Sequence, residues 1–350
     1  MRAQLAAVLA RLLAWFSAWF RAWSTAHRAE LRSRRYPTAA FDPPGAACDV
    51  LPVTTGDGAR LRVHAYGPAE APIVVLIHGW TCAIEYWNAQ INAFAAEYRV
   101  IAYDVRGHGE SERGDAPLSM DLLADDLAAV LDAAVPSGRR AVLVAHSLGG
   151  MTVQAWAARY PRDVARRAGA VLLTNTAPHG LVATTTVVPF FNRPMPFKRT
   201  GISLPATVGR LGLGTPIVFP PIAPVRWLFA RQIMSLASPR DHVDFGMAIV
   251  RSCPAAIRAE FGRLLAAMDV GEAAKHLVVP TTILAGSRDD LTPPVHAELI
   301  AEMLESVGSL ERYEVLQTGH LGNVEQYERF NAELARVLDA VGERRADVAG

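Results

Sequence analysis

Residues 141–151 read AVLVAHSLGGM. The apolar run from Ala141 to Ala145 leads straight into His146 and Ser147, and Leu148, Gly149 and Gly150 follow. A short continuous apolar run is the pattern of a strand buried on both faces. The next residues, GGMTVQAWAARY, have helical period and stop at Pro161. Ser147 therefore falls on a sharp strand-to-helix turn, which needs small neighbours. Gly149 supplies one. Ala145 stands where glycine is most common and adds only a methyl group. Such a turn strains the serine backbone and lifts its hydroxyl above the sheet, at the positive end of the helix. The Leu148 amide is then free to donate to a developing oxyanion.

A serine hydroxyl is a weak nucleophile until a base takes its proton. LQTGHLGNVEQ (316–326) places His320 after a strand pattern and before the last helix. LAGSRDDLTPP (284–294) places Asp289 and Asp290 after the preceding strand pattern. His320 is expected as general base and Asp289 as the carboxylate that orients it. A second oxyanion donor is expected from VVLIHGWTC (74–82), as the backbone N–H of Trp80.

The wider chain alternates strands and helices. RLRVHAY, PIVVLI, RVIAYDV, AVLVA, AGAVLLTN, LVVPTTILAG and ERYEVL read as strands. Helix patterns lie between them, one of them opening on Ser119 as N-cap. The fold class expected is α/β, a mostly parallel central sheet with helices on both faces. Residues 51–176 form its first part and 271–345 its second. Between them, 177–270 is proline-rich and apolar and is expected to be a helical lid, with Phe190, Phe191, Phe197, Trp227 and Phe229 over a pocket or in a small core of its own.

With these motifs in hand, the chain resembles the α/β-hydrolase fold family. The resemblance rests on HGW (78–80), DVRGHGES (104–111), AHSLGG (145–150), GSRDD (286–290) and GH (319–320), and covers roughly residues 50–345. It implies a Ser147–Asp289–His320 triad, with the family spacing favouring Asp289 over Asp290. It implies no cofactor and no metal. Epoxide hydrolases and haloalkane dehalogenases of this fold carry Asp at the nucleophile position, so Ser147 argues against both. A serine esterase or lipase-like activity on a hydrophobic carboxylic ester is expected. Carbon–carbon hydrolysis, lactone hydrolysis, haloperoxidase-like chemistry, acyl transfer and a non-catalytic binding role are the alternatives. Asp104, His78 and His108 read as structural, Asp104 pairing with local backbone or Arg106. His146 reads as a support of the elbow, and His179 as a pocket-lining candidate.

The N-terminal residues 1–35 have a different character. At about 100° per residue, Leu5, Leu9, Leu12, Trp15, Phe16, Trp19, Phe20 and Trp23 share a face, and Arg21, Arg28, Arg32 and Arg35 lie largely opposite. An amphipathic helix is expected, lying on a membrane surface or packed on protein. Arg11 interrupts the apolar run and argues against a simple span. Residues 36–50, rich in Pro and Gly, read as a linker.

The formal net charge of +1 over 350 residues points to no nucleic-acid partner. Cys48, Cys82 and Cys253 are three, widely spaced and without a CxxC pair, which favours a reducing, cytoplasmic setting over a disulfide framework.

Overall fold

The computed structural model describes residues 25–185 and 221–349. Eight strands form one sheet: β1 (Cys48–Thr54), β2 (Arg60–Tyr66), β3 (Ile73–Ile77), β4 (Arg99–Tyr103), β5 (Ala141–His146), β6 (Ala168–Thr174), β7 (Thr281–Gly286) and β8 (Leu310–Leu316). Their order is β1-β2-β4-β3-β5-β6-β7-β8. The β1/β2 and β2/β4 pairs are antiparallel, and every later pair is parallel. Parallel strands need crossover connections, and the intervening helix patterns supply them.

Among the described residues the helices are α1 (25–33), α2 (Asn88–Phe94), α3 (Met120–Ala134), α4 (Leu148–Arg159), α5 (Pro161–Arg167), α6 (Leu181–Thr184), α7 (Ala223–Ile233), α8 (Arg240–Ser252), α9 (Ala255–Ala267), α10 (Pro294–Ser306), α11 (Gly322–Glu325) and α12 (Tyr327–Ala349). Ser119 caps α3, its hydroxyl accepting from the Leu122 amide at 3.1 Å. Pro161 stops α4 by opening α5.

Strand residues alternate between two cores. Val75 and Ile77 of β3 join α3, α4, α9 and α10 on one face of the sheet. Val74 and Leu76 join α2, α8 and α12 on the other. All residues of β3 and β5 are buried, which is why neither strand alternates in sequence. Each Val, Leu or Ile buried this way contributes about 1.5–3 kcal/mol.

The 36–50 stretch is not a linker. Tyr36 and Phe41 are buried, and β1 already begins at Cys48. Phe41 stacks on Phe245 with ring centroids 4.6 Å apart, and its carbonyl accepts from Asn88 Nδ2 at 3.0 Å. Two aromatic anchors outweigh the Pro and Gly content, because burying each ring removes a large apolar area from water. The first part of the sheet domain accordingly starts before residue 51.

The inserted segment joins β6 to β7, and its described part is helical, α6 to α9. Phe229 is buried among the sheet-face core residues, while Trp227 is 60% exposed. The expectations for Phe190, Phe191 and Phe197, and for residues 1–24, lie outside the described residues. Helix α1 packs on the domain: Leu31 is 2% exposed and Arg32 pairs with Glu110. Among the described residues no helix is long and apolar enough to cross a membrane.

Candidate active site

Strand β5 delivers Ser147 to the N-terminus of α4. The residue has φ 53° and ψ −118°, a conformation that costs a non-glycine residue about 1–3 kcal/mol. Its amide donates to the Thr174 carbonyl at 3.0 Å, and its carbonyl accepts from Thr176 Oγ1 at 2.7 Å. The small neighbours have a direct cause. A Cβ on Gly149 would sit 2.3 Å from the Ile77 carbonyl oxygen, and one on Gly79 would sit 2.9 Å from Ser147 Cβ.

His320 lies 173 residues further along the chain, yet its Nε2 is 3.0 Å from Ser147 Oγ. Its Nδ1 is 2.8 Å from Asp289 Oδ2. A carboxylate at Nδ1 fixes the proton there and leaves the Nε2 lone pair toward the serine hydroxyl. Asp289 is 3% exposed. Its Oδ1 accepts from the amides of Leu291 and Thr292, both at 2.8 Å. Its Oδ2 also accepts from Thr292 Oγ1 at 2.6 Å and Asn175 Nδ2 at 2.8 Å. Burial pushes this carboxyl up, but the adjoining His320 and the hydrogen bonds from His320 and Thr292 outweigh it and hold it below the usual carboxylate range. Asp290 turns elsewhere, to Arg231 at 3.2 Å.

Leu148 is the first residue of α4, so its amide has no carbonyl one turn back to accept it. Trp80 lies on the turn closed by the Cys82 amide on the Gly79 carbonyl, and its indole Nε1 donates to the Arg258 carbonyl of α9 at 3.1 Å.

The structural assignments hold for the buried histidines. His78 accepts from the Val105 amide at Nε2 (3.0 Å), and its Nδ1 faces the Gly79 carbonyl (2.8 Å). His108 accepts from the Thr81 amide (3.2 Å) and faces the Arg106 carbonyl (3.1 Å). Burial lowers both, to about 4 and about 3, so they are neutral. His146 Nε2 contacts the His320 carbonyl at 2.8 Å, tying the elbow to the histidine loop. His179 pairs in an isolated bridge with Asp269. Asp104 binds the amides of Ile84 and Glu110, as expected, but its charged partner is Arg62, not Arg106. Arg106 forks onto Asp126 at 2.5 and 2.6 Å, a planar match that Asp104 cannot offer while committed to two amides.

Sequence reasoning missed Asn175, Thr292 and Glu325. Asn175 holds φ 47°, which asparagine tolerates better than most residues, and its place at the end of β6 in LLTNT was the available signal. Asp289-x-x-Thr292 is an Asx-type turn legible in DDLTPP.

A mostly parallel sheet with a strained serine at a strand–helix elbow, and an acid and a histidine on the loops after two later strands, defines an α/β hydrolase. The chain belongs to the alpha/beta hydrolase family, whose model matches residues 74–333. Over 127 residues it is 42% identical to a bifunctional esterase/perhydrolase of Acinetobacter calcoaceticus, a match covering 36% of this chain and 45% of that protein. The chain thus spans less than half the length of that relative. It is 25% identical over 288 residues to 3-oxoadipate enol-lactonase 2 of Acinetobacter baylyi, covering 81% of this chain and 95% of the relative. The structure resembles that of a thermophilic esterase from Thermogutta terrifontis, with a TM-score of 0.63, 22% identity, and coverage of 85% of this chain and 99% of the other. At that identity the likeness speaks to fold alone.

Proposed function

We propose that this protein is a serine hydrolase that cleaves a hydrophobic carboxylic ester through an acyl-enzyme. The observation that carries the reading is the Ser147–His320–Asp289 line, at 3.0 and 2.8 Å, on a strained elbow. His320 Nε2 takes the hydroxyl proton as Ser147 Oγ attacks the ester carbon. The amides of Leu148 and Trp80 receive the oxyanion. His320 then protonates the departing alkoxide, leaving an acyl-Ser147. A water attacks the acyl carbon, His320 accepts its proton and returns one to Ser147, and the carboxylic acid leaves. Asp289 stays ionised and stabilises the imidazolium in both halves. The apolar 177–270 segment supports a hydrophobic substrate.

The long match to an enol-lactonase supports a second reading, a lactone substrate. A lactone is a cyclic ester, so the steps are the same, except that the hydroxyl formed on ring opening stays attached to the acyl chain and leaves with it as one hydroxy acid, or from an enol-lactone as the keto acid its enol becomes. Membrane-surface contact through the amphipathic segment 1–35 and a cytoplasmic location belong to the same proposal, supported by the amphipathic pattern and by cysteine usage. Deleting residues 1–24 should then move the protein from the membrane pellet to the soluble fraction.

The deciding experiment is hydrolysis of p-nitrophenyl esters from acetate to palmitate, with enol-lactones in parallel and Ser147→Ala as control. Ser147-dependent turnover of the linear esters supports the first reading, and lactone turnover alone the second. Folded protein that turns over neither refutes both.

A further inference from the structure

Glu325 takes no part in the steps above, yet its carboxylate is buried beside the histidine loop, with the residue 7% exposed. Its Oε2 accepts from the amides of Gly319 (3.1 Å) and Ser235 (2.8 Å) and from Ser238 Oγ (3.0 Å). Its Oε1 accepts from the Leu321 amide at 3.2 Å. The two amides that flank His320 in the chain thus end on one carboxylate. The His320 amide itself donates to the Ile233 carbonyl of α7 at 2.8 Å. Three consecutive amides, 319 to 321, are therefore held from outside the loop. Contact with the inserted segment is close: a Cβ on Gly319 would lie 2.5 Å from the Met234 carbonyl carbon and oxygen. A second tie runs from Arg288 to Ser235 Oγ at 3.1 Å. Burial raises the Glu325 carboxyl and its donors pull the other way. A buried carboxylate is tolerated where charge-assisted hydrogen bonds occupy its oxygens.

We propose that Glu325 is a positioning residue for the hydrolysis, pinning the His320 loop to the 234–238 turn of the inserted segment and so holding Nε2 at proton-transfer distance from Ser147 Oγ. The inference rests on the serine-hydrolase reading above. Glu325 touches backbone on both sides of His320 and none of the Ser147 or Asp289 atoms, so its effect runs through the loop. Misplacing a reacting group by about 1 Å costs on the order of 10²-fold in rate. Because Glu325 acts on the backbone that carries His320, the expected signature is a loss in kcat larger than any change in KM.

The test is the rate at which a fluorophosphonate probe labels Ser147, measured with kcat and KM for p-nitrophenyl butyrate. In labelling, Ser147 Oγ bonds to phosphorus, fluoride leaves and His320 takes the proton, so the rate reads serine activation without assuming the natural ester. Glu325→Gln keeps one carbonyl for the Gly319, Ser235 and Ser238 donors and turns an NH2 toward Leu321. Glu325→Ala removes every acceptor. Labelling rate and kcat should fall on the order of tenfold in the first and hundredfold in the second, with KM within about twofold. The graded rescue by glutamine and the split between kcat and KM are what a purely structural residue would not give. Folded variants with lowered melting temperatures but wild-type kcat and labelling overturn the proposal. Should Glu325→Ala fail to fold, the glutamine variant decides by the same criteria. Wild-type protein that is unlabelled, or labelled equally after Ser147→Ala, refutes the serine-hydrolase reading and the positioning role with it. Ser147-dependent labelling that the Glu325 variants leave unchanged refutes the positioning role alone.

Discussion

The serine elbow and the histidine loop meet where His320 Nε2 reaches Ser147 Oγ and His146 Nε2 reaches the His320 carbonyl, but they are built differently. Ser147 is held by the ends of regular elements: its amide and carbonyl are bonded to Thr174 and Thr176 at the end of β6, and Gly79 and Gly149 let the end of β3 approach the elbow and the start of α4. His320 sits on a loop whose backbone is fixed by Glu325, by the Ile233 carbonyl and by the His146 ring, two of which come from distant parts of the chain. A group at the junction of regular elements inherits their rigidity. A group on a loop needs dedicated ties, and each tie is a place where geometry can be lost without loss of fold.

The largest effects should come from the point where the two regions join. Ser147→Ala should lower kcat about 10⁶-fold, and Asp289→Asn about 10⁴-fold, in p-nitrophenyl ester assays with unchanged circular dichroism. Next is the elbow's own packing. Gly149→Ala places a Cβ against the Ile77 carbonyl and should cost about 3 kcal/mol in urea unfolding, as overpacking does. Wild-type stability would show that the elbow is less rigid than the comparison claims.

The elbow side also carries the acid-sensitive histidines. His78 and His108 titrate near 6.5 in the unfolded chain but at about 4 and about 3 in the fold. Between pH 6.5 and about 4 the unfolded state therefore binds more protons, and stability falls as pH falls. His108→Gln should flatten that slope, by up to about 2 kcal/mol between pH 7 and 5, read from urea midpoints. Parallel slopes would remove His108 as a source.

The smallest effect tests a tie on the histidine side. Asn175→Gly keeps the positive φ but deletes the amide that reaches Asp289 and the Gly319 carbonyl. It should lower kcat about tenfold, equivalent to one buried hydrogen bond of about 1.4 kcal/mol. A loss as large as that of Asp289→Asn would place Asn175 alongside the acid itself.

The same contrast governs what the sequence disclosed. The β5–Ser147–α4 unit was legible because its determinants are adjacent: an apolar run, a serine, two glycines and a helical period. The sheet was legible because β3, β5 and β6 are short apolar runs spaced by helices. Asp289 and His320 were legible as types at strand ends. Their supports were not. Glu325 looks like any glutamate on a helix, and only the folded chain brings Ser235 and Ser238 to it, about 90 residues away in sequence. The 36–50 stretch misled for the same reason: Phe41 declares itself as core only once Phe245 is stacked on it.

The separation of 173 residues between Ser147 and His320 has a consequence for synthesis. At about 5–20 residues per second, the elbow emerges from a ribosome roughly 10 to 35 s before its base. On the proposed serine-hydrolase reading, Ser147 has no proton acceptor until then, and a chain that ends before residue 320 should not turn over p-nitrophenyl esters. Because the ties of Ser147 and His146 to His320 close loops of more than 170 residues, assembly of the reacting pair should be among the slower events of folding.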